Sequence, residues 1–271
     1  MNTLIEEKKN NFKGVVVSIV TYNNQSVIEK AIKSIIENTL ESDYKIVIFD
    51  NHSTDNTLRI INSINDMHIE IISSKKNYGF GYGHNRVAEI YPKAEAYLIY
   101  NPDLFLRDDL INDYRKLLKF DQEIGMVVPQ IKYPNGELQY LCKRNPTVFD
   151  LFIRRFIKGR FAQLFSERRK WYEMREFDYQ TPFEIEYASG CCMFIRGDTY
   201  RKIKGFDEKI FMYLEDADIT RQIRCYKKTL YMPTNCVEHL WGKGAHHSIK
   251  LMLINIKSAF YYFKKWGWKF Y

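Results

Sequence analysis

Tyr97-Leu98-Ile99-Tyr100-Asn101-Pro102-Asp103 decides the fold. The apolar run stops abruptly at Asn101-Pro102 and leaves a carboxylate, Asp103, at its end. A short apolar run closed by turn residues reads as a buried strand. Pro102 has no N–H to donate to a ladder, so the strand should end by Asn101. In an open α/β sheet, ligands sit outside the carboxyl ends of the strands. A lone carboxylate there either caps the following turn or offers oxygen to a hard divalent cation.

Working outward, the same punctuation recurs upstream. Val15 to Val20 is an apolar, β-branched run ending in Thr21-Tyr22-Asn23-Asn24, and Ile46 to Phe49 is another ending in Asp50-Asn51. Ile69 to Ile72 reads as a third strand. Ser26 to Glu29 matches the S-x-x-E capping box, and Ile28, Ala31, Ile32, Ile35 and Ile36 follow at helical spacing. Ser53-Thr54-Asp55 suits the start of a helix carrying Leu58, Ile61 and Ile64. Gly79, Gly81 and Gly83 predict a flexible loop before a helix around Asn85 to Ile90. The order β-α-β-α-β-loop-α-β predicts an α/β fold with a central, mostly parallel sheet flanked by helices.

Downstream, a helix is expected from Asp108 to about Lys119, then a short strand from Met126 to Gln130. From Lys143 to Arg175 the chain turns basic and aromatic. Phe149, Phe152, Ile153, Phe156, Ile157, Phe161, Leu164 and Phe165 recur at three and four residues, with Arg154, Arg155, Lys158 and Arg160 between them. That pattern is a basic amphipathic helix or helix pair, packed on the sheet or laid on a membrane surface or a lipid-linked substrate. No nucleic-acid reader motif accompanies it, so no nucleic-acid partner is expected. Ala188 to Ile195 reads as a strand in which Gly190 permits close backbone approach. Glu215-Asp216-Ala217-Asp218 opens a helix, Thr229 to Met232 is a short strand ending at Pro233, and Ile249 to Tyr271 is an aromatic and basic helix. The expected organisation is a polar arm over 1–13, a catalytic domain over 14–248 with 143–175 as an inserted segment, and a terminal helix over 249–271. The insert is expected against a membrane surface or a lipid-linked substrate, or in a homodimer contact.

The 271 residues suffice for one large α/β domain, and 45% hydrophobic with 27% charged residues is a globular composition. A net charge of +8 favours an anionic partner: a nucleotide, a nucleic acid or a membrane surface. The five cysteines form no C-x-x-C pair and read as reduced thiols of a cytoplasmic protein. The polar N-terminus has no apolar core of signal-peptide length, and no run of about 18 apolar residues predicts a membrane span.

Two acidic groups stand out: Asp103 at a strand end, and Glu215, Asp216 and Asp218 at a helix start. One cap needs a single carboxylate. A metal-held carboxylate plus a second one acting as base suits displacement of a phosphate leaving group by a hydroxyl. Asp50 offers an acceptor for a base or ribose, and Tyr22 a ring to stack on a base. The Gly79 loop does not match G-x-G-x-x-G, since Arg86 holds the third glycine position, and no P-loop is present. Cys236, His239, His246 and His247 lack the spacing of a structural zinc site. His239 is better placed as a ligand to the cation of Asp103.

Six motifs now stand in one order: Val20 to Asn23, Phe49 to Asp55, Asn77 to Asn85, Asn101-Pro102-Asp103, Gly205 to Glu208 and Tyr213 to Asp218. As a set, spanning about 14–248, they resemble the family 2 inverting glycosyltransferases of GT-A fold, especially the bacterial rhamnosyltransferase-like branch. The resemblance implies that Thr21, Tyr22, Asn23 and Asp50 hold the base and ribose. It implies that Asn77, Gly79, Phe80, Asn85 and Asn101 line the nucleotide-sugar site. Asp103, with His239, would bind Mg²⁺ or Mn²⁺ on the diphosphate; Asn101 stands where the family's first aspartate would. Asp216 would be the base, with Glu215 next in line, and Trp241 and the Lys243 to His247 loop would close over the donor. The implied donor is dTDP-rhamnose or a UDP-hexose. The implied acceptor is an oligosaccharide or polyprenyl-linked sugar in bacterial surface polysaccharide synthesis, met at the inner membrane face by a peripheral enzyme. Two other readings are a nucleotidyltransferase, which would want a glycine-rich phosphate loop where Thr21 to Asn24 stands, and a basic nucleotide- or membrane-binding module without catalysis.

Overall fold

The computed structural model describes residues 9–40, 43–157, 159–240 and 249–271. The Trp241 and Lys243 to His247 loop, with His246 and His247, lies outside the described residues, as does most of the 1–13 arm. What is described of that arm is tied down: Phe12 meets Tyr91 edge-on at 5.5 Å, and Lys9 bridges to Glu70.

The first half alternates as the sequence predicts. β1 (Val15–Thr21), α1 (Ile28–Glu37), β2 (Tyr44–Asp50), α2 (Thr57–Ser63), β3 (Ile69–Ser73), α3 (Phe80–Ile90) and β4 (Ala96–Tyr100) build the parallel order β3-β2-β1-β4. Both faces are covered. Val15, Val17 and Ile19 face the layer of α1, and Val16 faces the opposite one with Val87 of α3. A strand buried on both faces reads as an unbroken apolar run rather than an alternation.

β5 (Leu104–Leu106), α4 (Leu110–Phe120) and β6 (Ile124–Lys132) follow. Then come β7 (Cys142–Lys143), α5 (Val148–Phe156), a 3₁₀ helix (Gly159–Phe165), α6 (Ser166–Tyr172), β8 (Phe183–Glu184) and β9 (Tyr187–Ala188). β10 (Cys192–Arg196), α7 (Gly197–Ile203), α8 (Glu215–Arg224), β11 (Lys228–His239) and α9 (Ile249–Trp266) complete the chain. The main sheet runs on from β4 as β10-β6-β11-β5, with β10 antiparallel to both neighbours and β11 parallel to β6. The sheet is thus parallel in its first half and mixed in its second. β7 and β9 form a separate antiparallel pair.

Several expectations need correction. α1 starts without a Ser26 capping box; the Asn24 carbonyl instead accepts from the Val27 and Ile28 amides. Gly81 and Gly83 lie inside α3 rather than in a flexible loop. Their missing side chains let the helix approach closely: a Cβ would come within 2.6 Å of Phe206 Cβ and of Val20 Cγ2 respectively. Ala188 to Ile195 is not one strand but β9 and β10, broken at Ser189–Cys191. β11 does not stop at Pro233. Its register slips between Met232 and Cys236, and there Asp108 takes the Cys236 amide at 2.9 Å, so the missing proline N–H is absorbed.

Candidate active site

Strand direction gathers the site at one edge. Thr21 and Asp50 are paired residues at the ends of β1 and β2, and Asn101 follows β4 directly. β10 runs the opposite way, so its start lies there too: the Asn101 amide donates to the Cys191 carbonyl at 2.9 Å.

The residues expected to hold the nucleotide form one hydrogen-bonded wall. Thr21 Oγ1 donates to Asn24 Oδ1 at 2.9 Å, and the Asn23 amide donates to Ser53 Oγ at 3.0 Å. Asn23 Oδ1 accepts from the Thr54 amide, and its backbone is left-handed at φ 57. Tyr22 stands out from this wall with 49% of its surface exposed. Asp50 is buried; one oxygen accepts from the Ser53 amide at 3.0 Å and the other, Oδ1, has no partner among the described residues. A buried acceptor without a donor is costly in a finished core and is expected where a ligand completes it.

The Asn77 loop is tied to the same wall. Asn77 Oδ1 accepts from the Gly79 amide, and Asn51 holds Tyr78 and Gly79 through both ends of its amide. Gly79 has φ +99, and the Phe80 amide donates to the Phe211 carbonyl. Asn85 is buried and engaged within the protein. It accepts from Tyr200 OH and the Phe206 amide, and donates to the Phe206 carbonyl and Glu208. It therefore clamps α3 to the Gly205 turn and offers no free group to a nucleotide.

β5 pairs antiparallel with β11, and their register sets Leu104 opposite His239. Asp103, one residue earlier, thereby comes within 3.4 Å of His239 Nε2. The imidazole is oriented from behind. Gln139 Nε2 donates to the His239 carbonyl at 3.0 Å, which turns Gln139 Oε1 toward His239 Nδ1 at 2.9 Å. A proton on Nδ1 leaves the Nε2 lone pair facing a carboxylate. Two electron-rich groups so placed fit a cation between them. Among the described residues no cluster of three His, Cys, Asp or Glu side chains gathers to hold a metal ion. The pair therefore fits Mg²⁺ or Mn²⁺ held jointly with substrate phosphates, as hard cations commonly are.

At the start of α8, Asp216 accepts from Tyr187 OH at 3.1 Å, the Gly190 amide at 3.1 Å and the Ala217 amide at 2.9 Å. A Cβ on Gly190 would stand 3.1 Å from Asp216 Cβ, so glycine gives the close approach read from the sequence. Tyr213 and Leu214, just before α8, both have left-handed backbones, at φ 71 and φ 66. That conformation costs roughly 1–2 kcal/mol per residue and marks a backbone shaped for position rather than stability. Glu215 is buried, and one of its oxygens has no partner among the described residues. Burial, reinforced by the neighbouring Asp216, pushes its carboxyl well above the usual range. Asp218 belongs elsewhere: it accepts from Trp266 Nε1 at 2.6 Å and Lys265 Nζ at 2.9 Å, fastening α9 to α8.

Two adjoining cavities link these stations. One, of about 470 Å³, reaches His239; the other, of about 230 Å³, reaches Glu215 and Asp216. Both are lined by Lys143, Arg154 and Ser189. Sequence reading missed Gln139, Tyr187, Lys143 and Ser189, which sit in segments without periodicity or motif. Arg154 was visible only as one charge in a basic helix.

The model of glycosyl transferase family 2 matches residues 16–203. The N-acetylglucosaminyl-diphospho-decaprenol L-rhamnosyltransferase of Mycobacterium tuberculosis (strain ATCC 25618 / H37Rv) is 25% identical over 238 residues, covering 82% of this chain and 75% of that one. Rhamnosyltransferase WbbL of Escherichia coli (strain K12) is 24% identical over 261 residues, 92% of each chain. Among solved structures, GalNAc-T7 with UDP, GalNAc and Mn²⁺ gives a TM-score of 0.66 at 17% identity, over 86% of this chain and 44% of its own. S. aureus TarS 1-349 in complex with UDP gives 0.56 at 16% identity, over 90% of this chain and 65% of its own. These likenesses show the GT-A fold, and with the family model covering most of its length the chain belongs to glycosyl transferase family 2.

Proposed function

We propose that this protein is an inverting glycosyltransferase that moves a sugar, rhamnose or another hexose, from a nucleotide-diphosphate donor to a polyprenyl-linked or saccharide acceptor in surface polysaccharide synthesis. The observation that carries the reading is the pair of stations on one cavity system: Asp103 with His239 at one end, Asp216 at the other. Support for the substrates comes from the relatives. Two are rhamnosyltransferases, one named for a diphospho-decaprenol-linked N-acetylglucosamine, and a structural neighbour holds UDP. The donor is dTDP-rhamnose or a UDP-hexose.

Thr21, Asn23 and Asp50 present acceptors to the base and ribose, and Tyr22 stacks on the base. Asp103 and His239 would hold the divalent cation, which when bound would neutralise the departing diphosphate. Tyr187 and the Gly190 amide hold the Asp216 carboxylate toward the cavity, where it takes the proton of the attacking hydroxyl. Glu215, whose burial beside Asp216 disfavours its charged form, is the less suited of the two to act as that base. Attack opposite the leaving group inverts the anomeric carbon in one displacement. Peripheral association with the membrane would bring the enzyme to a lipid-linked acceptor; among the described residues no helix is long and apolar enough to cross one.

Asp216→Asn tests the assignment. Transfer from the donor should fall by about a thousandfold or more, while calorimetry shows UDP or dTDP binding, with and without Mn²⁺, within twofold of the parent. Substantial transfer by Asp216→Asn would remove Asp216 from the mechanism.

A further inference from the structure

The cavity system carries more positive charge than the described residues balance. Arg144 is bridged to Glu176, Arg168 to both oxygens of Asp150, and Arg175 to Glu173. Lys143 and Arg154, which line both cavities, have no such partner among the described residues. Lys143 is only 5% exposed, yet its ammonium meets only the face of Tyr187, at 4.8 Å, and no carboxylate lies within ion-pair distance among the described residues. Arg154 is open to solvent on the cavity wall and makes no ion pair or hydrogen bond among the described residues. Burial, with repulsion from Arg154, pushes the Lys143 ammonium down to about 8. Asp216 and Glu173 oppose that shift only in part. A buried cation without a counterion is costly, and the cost disappears when an anion enters beside it.

The structure assigns Lys143 and Arg154 as an anion subsite that holds the phosphate groups of a lipid-linked acceptor. The inference rests on the glycosyltransferase reading above. Three observations favour the acceptor over the donor. Thr21, Asp50 and Asn77 line neither cavity, so the base and ribose lie elsewhere, and of the residues assigned to the donor only His239 borders one of the two, the larger. The cavity that holds Arg154 also holds Asp216, which must meet the acceptor hydroxyl. Its mouth is flanked by α5 and α9, which turn Phe152, Phe156, Leu253, Ile256 and Phe260 out to solvent, and α9 contributes Leu251 and Asn255 to the lining. A cationic cavity beside an apolar rim matches a ligand with a phosphate head and a hydrocarbon tail. An ammonium and a guanidinium together supply the charge and the directed N–H donors that phosphate oxygens take.

Calorimetric titration with farnesyl diphosphate tests the subsite, using the full chain and the single variants Lys143→Gln and Arg154→Gln. Farnesol and inorganic pyrophosphate serve as partial probes. Each substitution should weaken farnesyl diphosphate at least tenfold while leaving UDP or dTDP binding in Mn²⁺ within twofold. Arg154→Gln alters a solvent-reached side chain and keeps the test if Lys143→Gln fails to fold. Unchanged farnesyl diphosphate binding in both variants, or none by the parent protein, would overturn the assignment. So would a parallel loss of nucleotide binding, which would give these cations to the donor. Arg154-dependent binding of farnesyl diphosphate without any nucleotide binding would keep the subsite and sink the glycosyltransferase reading instead.

Discussion

Adjacent carboxylates at the start of α8 have opposite assignments because their surroundings differ. Both border the smaller cavity, but Asp216 has three donors, whereas Glu215 is buried with one oxygen unpartnered among the described residues. The folded protein raises the proton affinity of Glu215. Its contribution to stability is therefore full at low pH and lost as pH rises from the ordinary carboxylate range through the raised value. Glu215→Gln stays neutral throughout. The urea midpoint of Glu215→Gln relative to the parent should thus climb as pH rises above the ordinary carboxylate range, with transfer activity retained. A difference that shrinks with rising pH would mean that the fold stabilises a charged Glu215. The residue scale is also where sequence reading was weakest. Asp103, His239 and Asp216 were nameable from motifs, but Tyr187, Gln139 and Lys143 act through contacts made across β7, β9 and β11, which no local pattern encodes.

At the scale of elements, long apolar runs closed by turn residues were legible: β1, β2, β3 and β4 stand where the sequence put them, within about two residues. Legibility failed where length or composition misled. β8 and β9 are two residues each, too short for any periodicity, and α7 follows a strand with no separating turn. α3 was half lost because Gly81 and Gly83 look like loop residues. Those glycines give a prediction in which two effects compete. Alanine in a helix interior gains about 1 kcal/mol over glycine. At Gly81, however, the new methyl would stand 2.6 Å from Phe206 Cβ, and overpacking costs typically 1–3 kcal/mol. Gly81→Ala should therefore lower the urea midpoint. A raised midpoint would mean that the Phe206 turn yields freely.

At the scale of the whole molecule, chemistry and apolar surface lie on neighbouring faces. The main sheet brings Thr21, Asp50, Asn101 and His239 to the ends of its strands. α5 and α9 carry Phe152, Phe156 and Phe260 outward, and the chain's net charge is +8. Basic helices with outward aromatics bind anionic bilayers through both terms. Sedimentation with phosphatidylglycerol vesicles should show binding that the combined Phe152→Ser, Phe156→Ser and Phe260→Ser variant weakens by about tenfold or more, equivalent to roughly 1.4 kcal/mol, with nucleotide affinity unchanged. Equal binding by parent and variant would leave these rings without a lipid role. The basic amphipathic character of this segment was plain in the sequence. Its folding as two short helices joined by a 3₁₀ turn, closed against the last residues through the Val148 and Phe149 amides, was not.

The antiparallel strand β10 has a kinetic consequence. β4 pairs with β1 on one side and with β10 on the other. As the chain leaves the ribosome, β1 to β4 can assemble early, but β4 keeps an open, fully apolar edge until α4, β6 and the whole helical insertion have been made. An unpaired edge of that kind invites pairing with other chains, and closing it late is a high-contact-order step. The long segment that lines the two cavities must therefore be synthesised before β1 to β4 are safe from aggregation.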